Sequence, residues 1–330
     1  MINIIELTLN LMILIGSSAN LDLNILVSKK LGIALADCTL CQFSNSETKV
    51  TIGVSLRGQD VYVISTGSYP INDNLMETLM ICKTCKTSNA RSITLVMANY
   101  PYARQDRKTK SRECITASFL AEMIEISGVN RMVTFDLHSG QIQGMFRIPV
   151  DNLYTCNLFA SYLKSSYPLI NQDTHIVVAP DAGATKRCRD LAMRLGLKMA
   201  LIEKSRNYSN NNSIESMILI DHDDSVKGKT VIIYDDIADT LGTLVKACDL
   251  LQEHQAKEVI AIVTHGILSG HAIELLNKCS ILTKLICTNT LQLPQSEKIN
   301  VCDISDLICA CISCLDKGES LAPLFELYQI

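Results

Sequence analysis

The stretch Thr230–Thr243, TVIIYDDIADTLGT, constrains the fold of this chain more than any other segment. Its apolar run, Val231–Tyr234, has the length of a strand buried in a parallel sheet. The strand is expected to end at two carboxylates, Asp235 and Asp236, which precede the small and hydroxyl residues of Asp239–Thr243 and an apolar segment of helical length. This order of strand, acidic tip, turn and helix predicts a ligand site at the C-terminal edge of an α/β sheet.

The residue types in this stretch limit the chemistry of the ligand. Carboxylates repel phosphate, but they suit sugar hydroxyls or a hydrated divalent cation. Backbone N–H groups at the start of a helix, together with the hydroxyls of Thr240 and Thr243, suit a phosphate. A molecule with hydroxyls and a phosphate is a sugar phosphate. The alternative is a capped helix start without a ligand, with Asp239 as the cap.

Composition and charge narrow the class of protein. A chain of 330 residues is long enough for two domains of ~150 residues each. The formal net charge of −4, without a basic tail, does not favour nucleic acid as a partner. The longest apolar run near the N-terminus, Leu11–Ile15, is too short to span a membrane and follows no basic segment, so we expect a cytoplasmic protein without a membrane partner.

The chain contains 14 cysteines, six of them in three pairs with CxxC spacing. These pairs are far apart in the sequence and lie in apolar periodic segments. We interpret them as small core residues in a reducing compartment, and a zinc site is the alternative.

Strand and helix patterns alternate through both halves of the chain, which predicts two doubly wound α/β domains. Some local predictions are more specific. Val50–Leu56 and Val61–Thr66 are expected to form two strands joined as a hairpin. Asn74 and Glu77 have the spacing of a helix capping box. Leu282–Cys287 is expected to be the last strand of the second half.

Three further segments place polar chemistry after a strand. Asp181 begins a glycine-containing turn that leads to Lys186 and Arg187, which suits a phosphate unless it is an ordinary loop. Arg104 lies in a basic segment and could bind a polyphosphate bidentately, although a solvated loop is equally compatible. His138 could ligate a metal or bind phosphate, but a single histidine is more often structural.

Lys204 and Arg206 precede the Asn- and Ser-rich segment Asn207–Ser213, which we expect to be mobile. Two cations on a closing lid could neutralise the charge that develops on a transferred phosphoryl group. A solvated hairpin is the alternative.

Together these residues resemble the ribose-phosphate diphosphokinase family, also called phosphoribosyl pyrophosphate synthetases, and specifically the class I enzymes of eukaryotic type. The resemblance extends from Gly16 to Phe325. The matching segments are Phe43–Glu47, Asn72–Glu77, Tyr102–Arg107, Asp136–His138, Gln141–Gly144, Pro149–Asn152, Asp181–Gly183 and Asp235–Thr243.

The resemblance implies an α/β fold with two tandem phosphoribosyltransferase type I-like domains, each a mainly parallel sheet flanked by helices. We place the N-terminal domain at residues 1–152 and the C-terminal domain at 153–303. A C-terminal helix and tail, residues 304–330, is expected to pack back on the N-terminal domain.

The activity implied by the resemblance is Mg²⁺-dependent transfer of diphosphate from ATP to the anomeric hydroxyl of ribose 5-phosphate. The products are AMP and 5-phosphoribosyl 1-diphosphate, a precursor for nucleotide biosynthesis. Inorganic phosphate and ADP are implied as regulators, and a homo-oligomer, a hexamer built of dimers, as the assembly.

The resemblance also assigns roles to individual residues. Lys204 and Arg206 are implied in catalysis, and His138 and Asp181 in metal binding. The implied ATP-binding residues are Phe43, Asn45, Glu47, Arg104, Gln105 and His138, with Phe43 and Asn45 supplied by a neighbouring subunit. The implied ribose 5-phosphate residues are Asp235, Asp236, Asp239, Thr240, Leu241, Gly242 and Thr243. The implied regulatory residues are Ser55, Arg57, Arg112, Gln143, Asp151, Asn152 and Ser320.

The sequence departs from the family pattern at several of these positions. Leu241 stands where a small residue is frequent, and we expect its side chain to point away from the phosphate. Ala184 replaces a second glycine, and Asn207 and Tyr208 replace a more basic run. Two alternative functions stay open: a catalytically silent regulatory subunit of the same family, and a nucleobase phosphoribosyltransferase, which shares the Asp235–Thr243 motif.

Overall fold

The computed structural model describes residues 12–207, 213–221 and 225–326, without the side chains of 204–207, 213–216 and 326. The chain divides into two compact units. The first contains the described residues up to Leu153 together with Ser305–Leu321, and the second contains Tyr154–Ile304 and the described residues from Ala322.

The first unit is built on a five-stranded parallel sheet and a separate two-stranded ribbon. The sheet strands, in their spatial order, are β1 (Met12–Gly16), β4 (Asp60–Ser65), β5 (Ser92–Met97), β6 (Arg131–Phe135) and β7 (Val150–Leu153). The ribbon pairs β2 (Cys38–Gln42) with β3 (Thr48–Ile52) in antiparallel fashion. The helices are α1 (Leu21–Leu31), α2 (Ile71–Thr87), α3 (Thr116–Ser127) and α8 (Ser305–Asp316).

Local signals define the ends of α1. The side chain of Asn20 accepts a hydrogen bond from the Leu23 amide, which satisfies a free donor of the first turn. Gly32, at a φ of 68°, ends the helix in the left-handed conformation that glycine adopts without strain. The helix packs against α8, where Lys30 and Asp306 form an ion pair at 2.8 Å. Helix α8 is therefore part of the first unit.

The second unit has a seven-stranded sheet. Its strands, in spatial order, are β10 (Ser213–Ile220), β9 (Met199–Asn207), β8 (His175–Ala179), β11 (Thr230–Ala238), β12 (Glu258–Gly266), β13 (Leu282–Thr288) and β14 (Ile299–Cys302). Only the β9–β10 pair among these described strands is antiparallel. The helices are α4 (Cys156–Ser166), α5 (Thr185–Leu195), α6 (Gly242–Glu253), α7 (Ala272–Lys278) and α9 (Ala322–Glu326).

The strand order of the second sheet reverses between β8 and β11. After β8 the chain adds strands toward β10, and after β11 it adds strands toward β14. The two loops that leave the C-terminal ends of β8 and β11 therefore turn apart and open a crevice, where α/β proteins bind ligands.

The predicted fold class is confirmed, since both sheets are mainly parallel and flanked by helices. The predicted hairpin is wrong: β3 pairs with β2, while β4 pairs in parallel with β1 and β5. Burial explains the difference, because β3 alternates between half-buried and exposed residues whereas β4 is almost wholly buried. Neighbouring strand patterns in the sequence do not reveal which strands become partners.

The predicted capping box is also wrong. Helix α2 begins at Ile71, so Asn74 lies inside its first turns. The side-chain amide of Asn74 donates to the carbonyl and hydroxyl oxygens of Ser68, each at 3.0 Å. Glu77 accepts two hydrogen bonds from Ser18 instead of binding back to the helix. Tertiary partners have replaced the local ones.

Two strand predictions need correction in the second unit. Strand β11 does not end at Asp235 but continues to Ala238, because its ladder with β12 extends to the pair Ala238–Gly266. Residues Leu282–Cys287 do not form the last strand, since β14 follows and pairs with β13.

All 14 cysteines are free, and ten of them are buried. Cys82, Cys85 and Cys311 of the CxxC pairs are buried as expected of core residues, whereas Cys41 is exposed. Within the described ranges no cluster of three or more His, Cys, Asp or Glu side chains could hold a metal ion. None of the described helices is long and apolar enough to cross a membrane.

Candidate functional site

Asp235 and Asp236 lie on β11 where its two ladders differ in length. The pairing with β8 stops at Ile233, while the pairing with β12 continues past both acids. One edge of β11 is therefore open at the crevice between β8 and β11. The side chain of Asp235 is 31% exposed there, and that of Asp236 is 5% exposed. Of the two carboxylates, Asp235 is the more accessible to a ligand.

Arg187 is the residue that the sequence analysis assigned least accurately. We expected a cation for a phosphate, but its Nη1 atom lies 2.9 Å from Asp236 Oδ1 and 3.8 Å from Asp235 Oδ1. Next to it, the thiol of Cys188 donates to the carbonyl oxygen of Tyr234 at 3.2 Å. The first turn of α5 is thus attached to the acidic end of β11. The sequence contained both Lys186 and Arg187 but gave no sign of which one faces the sheet.

The acidic pair has an unusual protonation equilibrium. Burial raises the pKa of Asp235, the neighbouring Asp236 raises it further, and Arg187 offsets part of the rise. The Asp236 amide also donates to Asp235 Oδ1 at 2.9 Å. A cation or several hydroxyl donors bound beside Asp235 would favour its ionised form.

The turn after β11 presents backbone donors. Among the described residues, none accepts a hydrogen bond from the amides of Thr240, Leu241, Gly242 or Thr243. These amides lead into α6, whose N-terminal dipole favours an anion. Asp239 is tied down on the other side, where it accepts a hydrogen bond from the Ser269 hydroxyl. The turn is therefore suited to a phosphate.

Leu241 adopts a left-handed conformation at a φ of 62°, and its side chain is only 4% exposed. It belongs to the apolar core cluster that also contains residues of α6 and β12. The side chain therefore points into the core and leaves its backbone amide at the turn.

Asp181 caps the turn that follows β8. Its Oδ1 accepts a hydrogen bond from the Ala184 amide at 3.1 Å. The methyl group of Ala184 is buried in the core cluster that contains α5 residues, so alanine fills a space that glycine would leave empty. Asp181 is near enough to Asp235 to contribute to the rise of its pKa.

Lys204 and Arg206 lie on β9, the strand next to β8, and pair with Met217 and Ile214 of β10. Their side chains are outside the described part of the chain. The predicted mobile lid, Asn207–Ser213, begins and ends in strand residues, and residues 208–212 lie outside the described ranges.

In the first unit, three of the predicted ATP-binding residues lie together in the turn that joins β2 to β3. The side chain of Asn45 accepts a hydrogen bond from the Glu47 amide at 3.2 Å, and the Phe43 ring is 53% exposed. The strand predicted at Val50–Leu56 overlaps β3, but the sequence did not reveal its partner β2, which is short and weakly apolar.

Other predicted ATP-binding residues follow β5 and β6. Arg104 is exposed, and Gln105 is fixed to the start of α3 by a 2.6 Å hydrogen bond from the Thr116 hydroxyl. His138 is exposed after the buried Leu137, whose amide donates to Asn152 Oδ1 at 3.0 Å. Asn152 therefore holds the turn that presents His138.

The predicted regulatory residues all belong to the first unit. Arg131 donates to Asp151 at 2.5 Å, and Gln143 donates to the Gly140 carbonyl at 3.0 Å. Four others are exposed, namely Ser55, Arg57, Arg112 and Ser320. The regulatory role of this set stays a prediction.

The fold and the site define an α/β protein with an acidic strand and a turn suited to an anion at the strand-order reversal of its second sheet. Comparison with known proteins identifies the family. Residues 12–128 match the family model of the N-terminal domain of ribose phosphate pyrophosphokinase, and residues 217–326 match that of the phosphoribosyl synthetase-associated domain.

Curated relatives match nearly the whole chain. Ribose-phosphate pyrophosphokinase 4 of Saccharomyces cerevisiae is 47% identical over 97% of this chain and 96% of its own length. Ribose-phosphate pyrophosphokinase 2 of Schizosaccharomyces pombe is 44% identical over 91% of this chain and 92% of its own. The crystal structure of phosphoribosylpyrophosphate synthetase from Mycobacterium smegmatis superposes with a TM-score of 0.86 at 34% identity, covering 93% of this chain and 99% of that one. The chain belongs to the ribose-phosphate pyrophosphokinase family, and the enzyme class predicted from the sequence is confirmed.

Proposed function

We propose that this enzyme transfers the diphosphate of ATP to the anomeric hydroxyl of ribose 5-phosphate, giving AMP and 5-phosphoribosyl 1-diphosphate. The observation that carries the proposal is the open turn Thr240–Thr243 next to the half-exposed carboxylate of Asp235. One part suits a phosphate and the other suits sugar hydroxyls, so a sugar phosphate satisfies both. The names of the relatives agree with such a substrate.

The protein's part in this reaction is to position substrates and to neutralise charge. The turn amides hold the 5-phosphate, and Asp235 and Asp236 hold the ribose hydroxyls. The anomeric oxygen can then attack the β-phosphorus of ATP in line, without a covalent protein intermediate. Lys204 and Arg206 are assigned to neutralise charge on the transferred group.

Magnesium fits the donors available. Mg²⁺ prefers carboxylate oxygens, usually takes only one or two from the protein, and binds substrate phosphates besides. Asp181 and His138 are the residues we assign to it, and the raised pKa of Asp235 marks a place where a cation would relieve repulsion between acids. When bound, the ion neutralises phosphate charge and orients the triphosphate.

The ATP end of the site is assigned to the first unit. Phe43, Asn45 and Glu47 are proposed to hold the adenine, with Arg104, Gln105 and His138 along the phosphates. The exposure of the Phe43 ring in the β2–β3 turn supports its use against a neighbouring subunit. We therefore propose a homo-oligomer, a hexamer, regulated by inorganic phosphate and ADP. The cytoplasmic location stays a prediction.

The deciding experiment incubates the purified full chain with ATP, ribose 5-phosphate and Mg²⁺ and measures AMP and 5-phosphoribosyl 1-diphosphate. We expect both products in equal amounts and only when all three reactants are present. Absence of product would favour the silent regulatory subunit. Diphosphate release that requires a nucleobase would favour a phosphoribosyltransferase instead. Repeating the assay with phosphate and with ADP tests the regulation.

A further inference from the structure

Arg187 joins the start of α5 to the acidic part of β11, and these two elements carry different parts of the proposed chemistry. It lies on the first turn of α5, directly after the turn that Asp181 caps. Its guanidinium reaches across to Asp236 on β11 at 2.9 Å. The adjacent Cys188 thiol holds the Tyr234 carbonyl oxygen at 3.2 Å, so two successive residues of α5 fix this part of the strand.

The ion pair is shielded from solvent. The side chain of Arg187 is 20% exposed and that of Asp236 is 5% exposed. A buried charge that loses its partner is strongly destabilised, so the two groups favour one mutual arrangement. Lys186, the neighbouring cation on the same turn, is exposed and forms no comparable pair among the described residues. Arg187 therefore has a specific structural task that Lys186 does not share.

This arrangement has a consequence for two substrates that must react with each other. The Asp181 turn is assigned to the metal and the ATP phosphates, and the acidic pair is assigned to the ribose. A displacement of about 1 Å between reacting groups can reduce the rate by ~10²-fold. A rigid link between the Asp181 turn and the acidic pair of β11 therefore affects turnover more than the affinity of either substrate.

We propose that Arg187 is a positioning residue, which fixes the Asp181 turn relative to the Asp235–Asp236 pair through its ion pair with Asp236. This inference rests on the proposed function. Arg187 acts through Asp236, not through contact with the reacting atoms. A guanidinium is more weakly hydrated than an ammonium group, so arginine suits a shielded ion pair better than lysine does.

The test compares Arg187→Met, Arg187→Lys and the control Arg189→Met, at an exposed position of the same helix, in the full chain. Calorimetry with ribose 5-phosphate counts the binding-competent sites, and turnover is expressed per competent site. We expect Arg187→Met to lower kcat by ~10²-fold with little change in KM for either substrate. Arg187→Lys keeps the charge and should fold while losing part of the rate, and Arg189→Met should match the wild type.

The outcomes separate this inference from the proposed function. A wild type that forms no 5-phosphoribosyl 1-diphosphate overturns both. An active wild type whose Arg187→Met and Arg187→Lys variants turn over normally per competent site overturns the positioning role alone. A rise in KM for ribose 5-phosphate without a fall in kcat would make Arg187 a binding residue and would also overturn it. If Arg187→Met does not fold, the turnover of Arg187→Lys per competent site tests the positioning role.

Discussion

The turn that follows β1 in the first unit and the turn that follows β11 in the second unit are built differently. After β1, the amide and hydroxyl of Ser18 donate to the two carboxylate oxygens of Glu77, each at 2.7 Å. After β11, the amides of Thr240–Thr243 meet no acceptor among the described residues. The first turn is filled by a carboxylate of its own unit, and the second is left open for a ligand.

This difference separates stability from function. Around the filled turn, buried polar groups bind one another: Ser17 donates to Ser65 at 3.0 Å, and Asn24 donates to the Ser17 carbonyl at 2.7 Å. Satisfied buried groups stabilise the fold. The open turn and the crowded acids of the second unit are less favourable on their own, and a bound ligand can satisfy them. The comparison makes four predictions, which follow from the largest effect to the smallest.

Asp235→Asn should abolish most of the activity. The amide cannot replace the carboxylate toward a cation, and loss of one preorganised polar group typically costs ~10²–10³-fold in turnover. AMP formation measures the effect. The matched control is Asp249→Asn, which makes the same change at an exposed position of α6. Equal activity of Asp235→Asn and the wild type would show that the acidic strand is not part of the site.

Glu77→Ala should empty the filled turn and destabilise the first unit. Two charge-assisted hydrogen bonds are lost at a position that is 8% exposed, so we expect a loss of about 1–3 kcal/mol in the free energy of unfolding. Denaturant titration measures it. Sodium acetate should restore part of the lost free energy of unfolding in the variant, and sodium chloride should restore less. If acetate has no specific effect, the turn is not a closed anion site and the comparison fails.

Gly16→Ala and Gly242→Ala should behave in opposite ways. A Cβ at Gly16 would lie 2.6 Å from the Asn24 amide nitrogen, while one at Gly242 meets no protein atom within 4 Å. We expect Gly16→Ala to destabilise the fold by about 1–3 kcal/mol through overpacking. Gly242→Ala should fold normally but bind ribose 5-phosphate more weakly, because its methyl group would lie at the open turn.

Calorimetric unfolding and ribose 5-phosphate titration of both glycine variants measure these effects. Unchanged affinity of Gly242→Ala would place the phosphate elsewhere.

The two units should also depend on pH with opposite sign. Arg91 lowers the pKa of Asp60, so this pair stabilises the first unit above the unfolded pKa of about 4 and loses the effect as pH falls through the lowered value. The pKa of Asp235 is raised by burial and by Asp236. Its contribution is complete below about pH 4 and is lost as pH rises through the raised value.

Asp235→Asn should therefore unfold at a higher temperature than the wild type at alkaline pH, without Mg²⁺ or substrate, and the gap should narrow toward pH 4. Asp60→Asn should instead remove stability near neutral pH and have less effect in acid. Thermal unfolding of both variants and the wild type between pH 4 and alkaline pH tests the direction of each pH dependence. A constant gap for Asp235→Asn would show that the carboxyl does not titrate abnormally.

The sequence by itself determined the features that depend on near neighbours in the chain. The helix ends at Gly32, Gly128 and Gly196 follow from one residue's ability to adopt positive φ. Strand β8 and the order strand, acids, turn and helix follow from apolar runs and the residue types between them. The stretch Thr230–Thr243 also indicated the family and the turn that follows β11.

Only the tertiary structure decided which distant groups meet. Ser18 and Glu77 are 59 positions apart, and their contact replaced the local capping box that the spacing suggested. The partner of β3, the continuation of β11 past its acids, and the choice of Arg187 over Lys186 depend in the same way on strand pairing and helix packing. Local preferences are worth a fraction of a kcal/mol per residue, whereas burying a charge or a strand edge without a partner costs about 1–3 kcal/mol or more, so long-range pairing prevails where the two disagree.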